Sequence, residues 1–425
     1  MTLNSSFDCT IVGSGPAGLI AALTAARQGL NTALVGPPIN LGDKRTTALL
    51  GPSIDHLAAL GLGDALASIG TPLRTMRLLD GSQRLFRAPT VSFDAEEVGR
   101  LEFGLNCPNA QLNAALQAAI DAADNLTIIQ GFVARYALGG SEPKLVLKDG
   151  QTIDTRAILA ADGRNSPARD AASIRVRRWN YPQTAAVGVV RHSRHHDFVS
   201  SELHTETGPY TFVPMPDAED GSARSSFVCV LAPKMAQKLS KMDTLDATAF
   251  LQKRSLHVVG SLTLEDPVQL WPLEGLVAQT FAADGVFLMG EAAHAFPPIG
   301  AQGLNLSVRD AVDAADSVHS ALNANENPAS REVASRYTAR RRADVWARTL
   351  GVDALNRSLL TELPFVHLGR SAALAATRLS PTFKRTLMTA GLEPFGLRAL
   401  LGNAGDRTRA RLSRFRPPFL RNLAS

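Results

Sequence analysis

The sequence predicts an α/β protein: a parallel-sheet domain interrupted by a β-rich insertion and completed by a helical C-terminal region. Three observations predict it. Near the N-terminus a short apolar run, residues 8–12, is followed by a glycine-rich turn, an alanine-rich helical pattern over 16–28 and a second apolar run over 31–35. This strand–turn–helix–strand unit has the size of a parallel crossover. From about Arg178 to Thr280 the texture changes to short segments that suggest an antiparallel sheet. An apolar strand then returns at 287–289, and the remainder is helical and rich in Ala, Leu and Arg.

The elements between follow from the same rules. Residues 46–60 look helical. Residues 73–93 have hairpin character, with Asp80-Gly81 as a turn signal. An amphipathic helix is predicted over 109–123, and strands over 126–130, 144–148 and 156–160, with Asp149-Gly150 as a second hairpin turn. Within the insertion, 185–190, 210–214 and 225–231 read as strands. A long helical pattern begins at Leu304.

Composition bounds the function. The 425 residues are 45% hydrophobic, enough for a large core divided between domains. Cys9, Cys107 and Cys229 are scattered, odd in number and form no C-x-x-C pair, which predicts a reduced, cytoplasmic compartment without disulfides or a zinc site. Residues 1–7 lack the basic head and apolar stretch of a signal peptide. No run of about 18 apolar residues predicts a spanning helix. The net charge of +5 is concentrated in residues 366–425, which hold eleven Lys/Arg against two acids. That tail reads either as a solvated helical face or as a surface for an anionic membrane. Nucleic acid is disfavoured, because no aromatic-interleaved basic groove accompanies the charge.

Gly13-Ser14-Gly15-Pro16-Ala17-Gly18 is G-x-G-x-x-G in the right setting, after a strand and opening a helix. The first glycine permits the turn, the second lets a pyrophosphate approach the backbone, and the third lets helix pack on strand. The helix N-terminus offers free N–H groups and a favourable dipole to the anion. An acid is expected at the end of the second strand, but Gly36 stands there and Asp43 comes too late to replace it.

Two later segments decide between dinucleotides. Asp162-Gly163-Arg164-Asn165-Ser166 follows the strand ending at Ala160. Gly290-Glu291-Ala292-Ala293-His294 follows the strand ending at Met289, and Pro298-Ile299-Gly300-Ala301-Gln302-Gly303-Leu304-Asn305-Leu306 comes directly after. With these motifs, in this order and spacing, the chain resembles the single-component FAD monooxygenases that hydroxylate aromatic rings. More narrowly, it resembles the ubiquinone-biosynthesis hydroxylase family, from Asp8 to about Leu401. The run 292–310 is the most specific part.

The resemblance implies a Rossmann-like FAD-binding domain of the GR2 type, discontinuous over residues 1–75, 100–178 and 280–350. It implies a β-rich substrate domain over 76–99 and 179–279, and a basic helical region over 351–425. Carried over by position, Gly13, Ser14, Gly15, Pro16 and Ala17 form the dinucleotide turn. Arg45 meets the FAD phosphates, Asn109 meets FAD from a helix, and Val133 lies near the adenine. Asp162, with Gly163, shapes the FAD site and is implicated with NAD(P)H. Gly290 and Glu291 stand where the family has Gly-Asp, whose carboxylate binds the ribityl chain. Pro298, Gly300, Ala301, Gln302, Gly303, Leu304 and Asn305 form the loop and helix start at the flavin ring. Ala301 and Ser307 replace glycines there, each adding a Cβ. Reduced flavin is anionic around N1 and O2, so a helix beginning near Leu304 would aim its positive end at that charge.

The implied reaction has NAD(P)H reduce the flavin. Oxygen then forms a flavin C4a-hydroperoxide, which delivers a hydroxyl to an electron-rich ring: a polyprenylated phenol on the route to ubiquinone. Such a substrate lives in a membrane, so the resemblance implies peripheral contact with the inner membrane through residues 374–401, carrying Arg378, Lys384, Arg385 and Arg398, and a ubiquinone-biosynthesis complex as partner. Two alternatives stay open: a hydroxylase of a small soluble phenol, and a non-catalytic flavin-binding assembly protein, kept open by Glu291, Ala301 and Ser307. Flavin performs the oxygen chemistry itself, so no metal is expected. His192, His195 and His196 in HSRHHD read as a solvated loop, since no matching acid or cysteine pattern supports ligation. His294 reads as packed or capping, and Trp179 and Tyr181 as packing. No general base is assigned.

Overall fold

A computed structural model describes residues 6–82, 88–140, 142–298, 300–360, 377 and 380–392. Cys9–Val12 (β1) is buried on both faces, as a central parallel strand requires. Pro16–Arg27 (α1) begins on proline, whose fixed φ suits the first helical turn, and gives way to Gly29 at φ +84°. Thr32–Gly36 (β2) lies parallel to β1.

The helix predicted over 46–60 is corrected. Thr46–Leu50 (β3) is a strand, and Gly51–Leu57 (α2) begins only where Pro52 sets the first turn. β3 is held in a three-stranded sheet by pairing with residues 104–108, and that tertiary pairing overrides the apolar spacing. Thr75–Asp80 (β4) and Val91–Asp94 (β5) form the expected antiparallel pair. Asp80-Gly81 does not close it as a two-residue turn, because the Gly81 N–H donates to His204 O and the chain runs on to residue 90. Gly104–Pro108 (β6), Asn109–Asp121 (α3) and Leu126–Gln130 (β7) follow. The hairpin around Asp149-Gly150 is present, with Gly150 at φ +87°. Ile158–Ala160 (β8) returns to the centre of the parallel sheet.

The insertion supplies Val176–His192 (β9), Val199–Thr205 (β10), Gly208–Met215 (β11), Ala223–Leu231 (β12) and Gln269–Ala278 (β13). Val286–Leu288 (β14) precedes the helices Gln302–Asn323 (α4), Arg331–Leu360 (α5) and Pro381–Leu392 (α6).

Two of the sheets formed by the described residues matter most. One is six-stranded in the order 282–283, β14, β8, β1, β2, β7, parallel except for its first pair. The other is nine-stranded and runs His294–Ala295, β13, β9, β12, β11, β10, β4, β5, with Leu262–Leu264 pairing β9. The pleat of the second sheet sorts its residues. Ala186, Leu203, Tyr210, Phe212, Phe227 and Cys229 point to a core under the helices Pro233–Leu239 and Thr244–Arg254. Their alternates, including Val187, Glu202, Thr211, Ser226 and Val228, line a cavity on the other face.

The tail docks in part. Met388 on α6 packs with Leu50, Ala95 and Phe103, and Lys384 Nζ lies 2.5 Å from Glu97 Oε1. Lys384, expected to meet a membrane, is thus engaged within the molecule, while Arg385 is exposed; Arg378 and Arg398 lie outside the described residues. Among the described residues no helix is long and apolar enough to cross a membrane. All three cysteines are free and buried. Burial pushes Cys9 and Cys107 up to about 12 and Cys229 to about 11, so they remain neutral thiols.

Candidate active site

The glycines of the first turn divide their work. Gly13 has φ +115°, and a Cβ there would lie 2.3 Å from Ala161 O; one on Gly18 would lie 1.8 Å from Gly13 O. A Cβ on Gly15 meets nothing within 4 Å, so that side of the turn is open. α1 has no side-chain cap, which leaves its first N–H groups free for an anion. Gly36 also has a steric reason: its Cβ would come within 2.8 Å of Ser14 N and Oγ. An acid in place of Gly36 would collide with the turn it is meant to serve.

Arg45 and Asn109 are organised by Asp43. Arg45 bonds Asp43 through both Nε (2.8 Å) and Nη2 (2.7 Å), and its guanidinium lies 4.8 Å from the Trp271 ring. Asn109 donates to Asp43 at 2.9 Å and accepts from Thr47 at 2.7 Å. Partial burial opposes ionisation of Asp43, but the bonds from Arg45 and Asn109 outweigh it and hold the carboxyl at about 2. Val133 opens a strand in a separate four-stranded sheet, two residues after Gly131, whose N–H bonds Gly36 O at the end of β2.

The second motif touches the third. Asp162 accepts from Ala168 N at 3.0 Å, while its Oδ1 is buried with no partner among the described residues. Burial raises its pKa. Buried Arg169 donates to the carbonyls of Arg164 and Ala292, each at 3.1 Å, and so ties the Asp162 turn to the Gly290 turn. Glu291 is half-exposed and its Oε1 accepts from Arg164 Nη2 at 2.9 Å.

Behind the Gly290 turn lies a buried ionic network that the sequence reading missed. Asp310 is fully buried; it accepts from Gly290 N (2.9 Å), contacts His294 Nε2 (2.6 Å) and accepts from Arg341 Nε (2.7 Å). Arg341 continues to Asp313 and Asp344, and Arg348 joins Asp344 to Gln302 of the flavin loop. Desolvation works against the Asp310 charge, but His294, Arg341 and the Gly290 N–H prevail and set it at about 2. His294 is packed, as expected. Ser307 donates to Gly303 O and sits behind Gly290, whose Cβ position is 3.0 Å from Ser307 Oγ. Ala301 adopts φ +53° as the N-cap of α4, which has no side-chain cap and no acid in its first turn. Asn305 locks this helix start to β3, accepting from Leu50 N and donating to Ala48 O, both at 2.8 Å.

A cavity of about 610 Å³ gathers Arg45, Glu291, Pro298, Gly300, Ala301, Gln302, Gly303 and Leu304 against the open face of the nine-stranded sheet. Asn305 lies buried behind it, and Gly13, Ser14, Gly15, Pro16, Ala17, Asn109, Val133, Asp162 and Gly290 lie outside its lining. Two lining residues were not anticipated. Asn106 donates to Pro214 O at 2.8 Å but leaves Oδ1 buried without a partner among the described residues. Glu202 stands on β10. Alternation along the strand was the signal for both, but it gives a face without saying what the face meets.

The HSRHHD reading is corrected. His192 and His196 are buried, held by Ser225 Oγ (2.9 Å) and Met215 O (3.1 Å); only His195 is exposed. Asp217, twenty residues on, comes within 3.7 Å of His195 and 3.8 Å of His196. Chain folding, not spacing, supplies that acid.

A family profile described as FAD binding domain matches residues 6–350. The chain belongs to that family. As a member it is an FAD-dependent oxidoreductase, an aromatic monooxygenase. It is 28% identical to the ubiquinone hydroxylase UbiL of Rhodospirillum rubrum over 90% of this chain and 88% of the relative. It is 27% identical to the 3-demethoxyubiquinol 3-hydroxylase of Escherichia coli over 90% and 97%. In fold it matches PqsL, a probable FAD-dependent monooxygenase from Pseudomonas aeruginosa, with TM-score 0.72 and 20% identity over 88% of this chain and 100% of that one.

The residues present fit FAD. The open side of Gly15, the uncapped start of α1 and the unpartnered Asp162 oxygen suit a pyrophosphate and its sugars. The uncapped start of α4 suits the anionic edge of a reduced flavin.

Proposed function

We propose that this monooxygenase hydroxylates a polyprenylated phenol in ubiquinone biosynthesis, drawing electrons from NAD(P)H and oxygen from O2. The observation that carries the reading is the cavity shared by the flavin loop and the apolar sheet face: Pro298 and residues 300–304 form one wall, Val187, Val213 and Val228 another. Two relatives matched along most of their length act, by their names, on ubiquinone or its demethoxy precursor. Bound FAD supplies the oxygen-activating chemistry.

This chain's residues do the rest. Arg45 and the start of α1 would hold the cofactor's phosphates, and Asn109 would meet the cofactor from its helix. Asp162 holds its polar groups. The start of α4 orients the ring edge, with Asn305 and the Asp310 network keeping that helix start in register. The valines exclude water from the reacting ring, and Asn106 Oδ1 offers an acceptor to a ring hydroxyl. The basic C-terminal region rests on the anionic inner membrane and presents the cavity to a lipid-soluble substrate, within a ubiquinone-biosynthesis complex.

The test is deletion of the gene followed by mass spectrometry of quinone intermediates. Accumulation of a polyprenylated phenol lacking one hydroxylation supports the reading. Normal quinone content, with purified protein hydroxylating short phenols without detergent, refutes it.

A further inference from the structure

One carboxylate on the cavity wall differs from the rest. Asp266 is paired with Lys44 at 3.1 Å, and Glu274 and Glu291 with Arg164 at 3.4 and 2.9 Å. Arg45 is taken by Asp43 at 2.7 Å. Glu202 has no lysine or arginine partner among the described residues. Its Oε1 meets His204 Nε2 at 2.8 Å and its Oε2 accepts from Thr211 Oγ1 at 3.3 Å.

Its placement follows from the pleat. Leu203 points into the core beneath the sheet, so Glu202 and His204 share the opposite face. The register sets Glu202 directly beside Thr211, which sits beside Val228, which sits beside Val187. The carboxylate therefore stands within a mostly apolar row, with Leu78 on its other side and its own side chain 15% exposed. His204 Nε2 and Thr211 Oγ1 hold its two oxygens in place. An ionised carboxylate is an acceptor only, so the ligand group it fits is an O–H donor.

We propose that Glu202 is the catalytic base that takes the phenolic proton of the substrate. The inference rests on the aromatic-hydroxylase reading and adds what that reading lacked. The phenol O–H bond breaks, its electron pair stays on oxygen, and the proton passes to a Glu202 oxygen. The resulting phenolate pushes electron density into the ring and makes the carbon to be hydroxylated a stronger nucleophile. Hydroxyl transfer breaks the O–O bond; as the ring regains its aromaticity the carbon gives up its proton, the oxygen left behind by that cleavage takes one up, and the product oxygen recovers a proton from Glu202, which ends as it began. His204 is a positioning residue: it fixes which oxygen faces the ring and stabilises the carboxylate beforehand.

The experiment uses the FAD-loaded full chain and 4-nitrophenol, whose ionised form absorbs differently from its neutral form. At a pH about one unit below the probe's own pKa, wild-type protein is expected to bind it as the phenolate, seen in the difference spectrum. Glu202→Gln is expected to bind it neutral, with FAD content unchanged. On phenols that turn over, kcat should fall about 100-fold while KM changes less than about 3-fold. Raising the pH until the phenol ionises in solution should restore much of that rate, which a merely structural defect would not allow.

Glu202→Asp keeps a carboxylate on a shorter stem. It should retain part of the probe ionisation, and it decides the matter if the glutamine variant fails to hold FAD. A Glu202→Gln protein that ionises the probe as well as wild type, or keeps kcat within about 3-fold, overturns the proposal. Wild-type protein that binds no phenol at all overturns the substrate class beneath it.

Discussion

Single residues in this protein are constrained by the cofactor or by the chain itself, and the two can be told apart. Gly13 and Gly15 belong to one motif, yet only Gly13 is pressed against protein, with Ala161 O 2.3 Å from its Cβ position. Gly15→Val should therefore fold with an unchanged melting temperature and lose FAD, while Gly13→Ala should lower the melting temperature even without cofactor. Flavin absorbance after gel filtration and thermal unfolding of the apoprotein read both. Asp310 is constrained by charge. Asp310→Asn leaves Arg341 paired with Asp313 and Asp344 but weakens the bonds to His294, Arg341 and Gly290, and should cost about 1–3 kcal/mol, measured by denaturant unfolding. The wild-type carboxyl is held at about 2, below its unfolded value, so its contribution is present above about pH 4. It is lost as pH falls towards 2. Acid titration should show wild type losing stability across that window, and the asparagine variant much less.

At the scale of elements, the start of α4 carries strain. Ala301 holds φ +53° at the N-cap, where an L residue with a Cβ is disfavoured by about 1–2 kcal/mol. Glycine would remove that strain but gain about 0.4–1 kcal/mol of unfolded-chain entropy. Ala301→Gly should thus stabilise by about 0.5–1 kcal/mol, seen as a higher denaturant midpoint at unchanged slope. Ser307, the other residue in place of a glycine, is satisfied by Gly303 O and supports the Gly290 turn, so its Cβ faces protein. The retained helix start argues for a working flavin loop. β3 makes the complementary point. Its threonines and leucines are ambiguous between helix and strand until β6 lies beside them.

Over the whole molecule, charge is distributed by function. The basic surplus lies in the C-terminal region, but α6 spends Lys384 on Glu97. If the tail meets an anionic bilayer as proposed, arginines beyond residues 374–401, such as Arg407, Arg409 and Arg411, would share that contact. Replacing these three by alanine should weaken co-sedimentation with anionic vesicles roughly 100-fold at low salt, at about 1 kcal/mol each. Binding to neutral vesicles should not change. Equal affinity of variant and wild type for the anionic vesicles would remove the tail from the membrane contact.

The sequence by itself determined what local geometry encodes: the β1–α1–β2 unit, the glycine turn, the Asp149-Gly150 hairpin and the long helix expected from about Leu304. These depend on residues a few positions apart, so periodicity and glycine placement report them. It also determined the family, because three motifs hold their order. Tertiary structure alone decided which side chains meet across the chain. Asp43 serving Asn109, Arg169 bridging two motifs, Asp310 reaching Arg341, and Thr211 donating to Glu202 across strands all join residues brought together by packing. The physical reason is that a pleat or a helix face fixes only the direction of a side chain. Its protonation, its partner and its chemistry are set by whatever the fold places opposite.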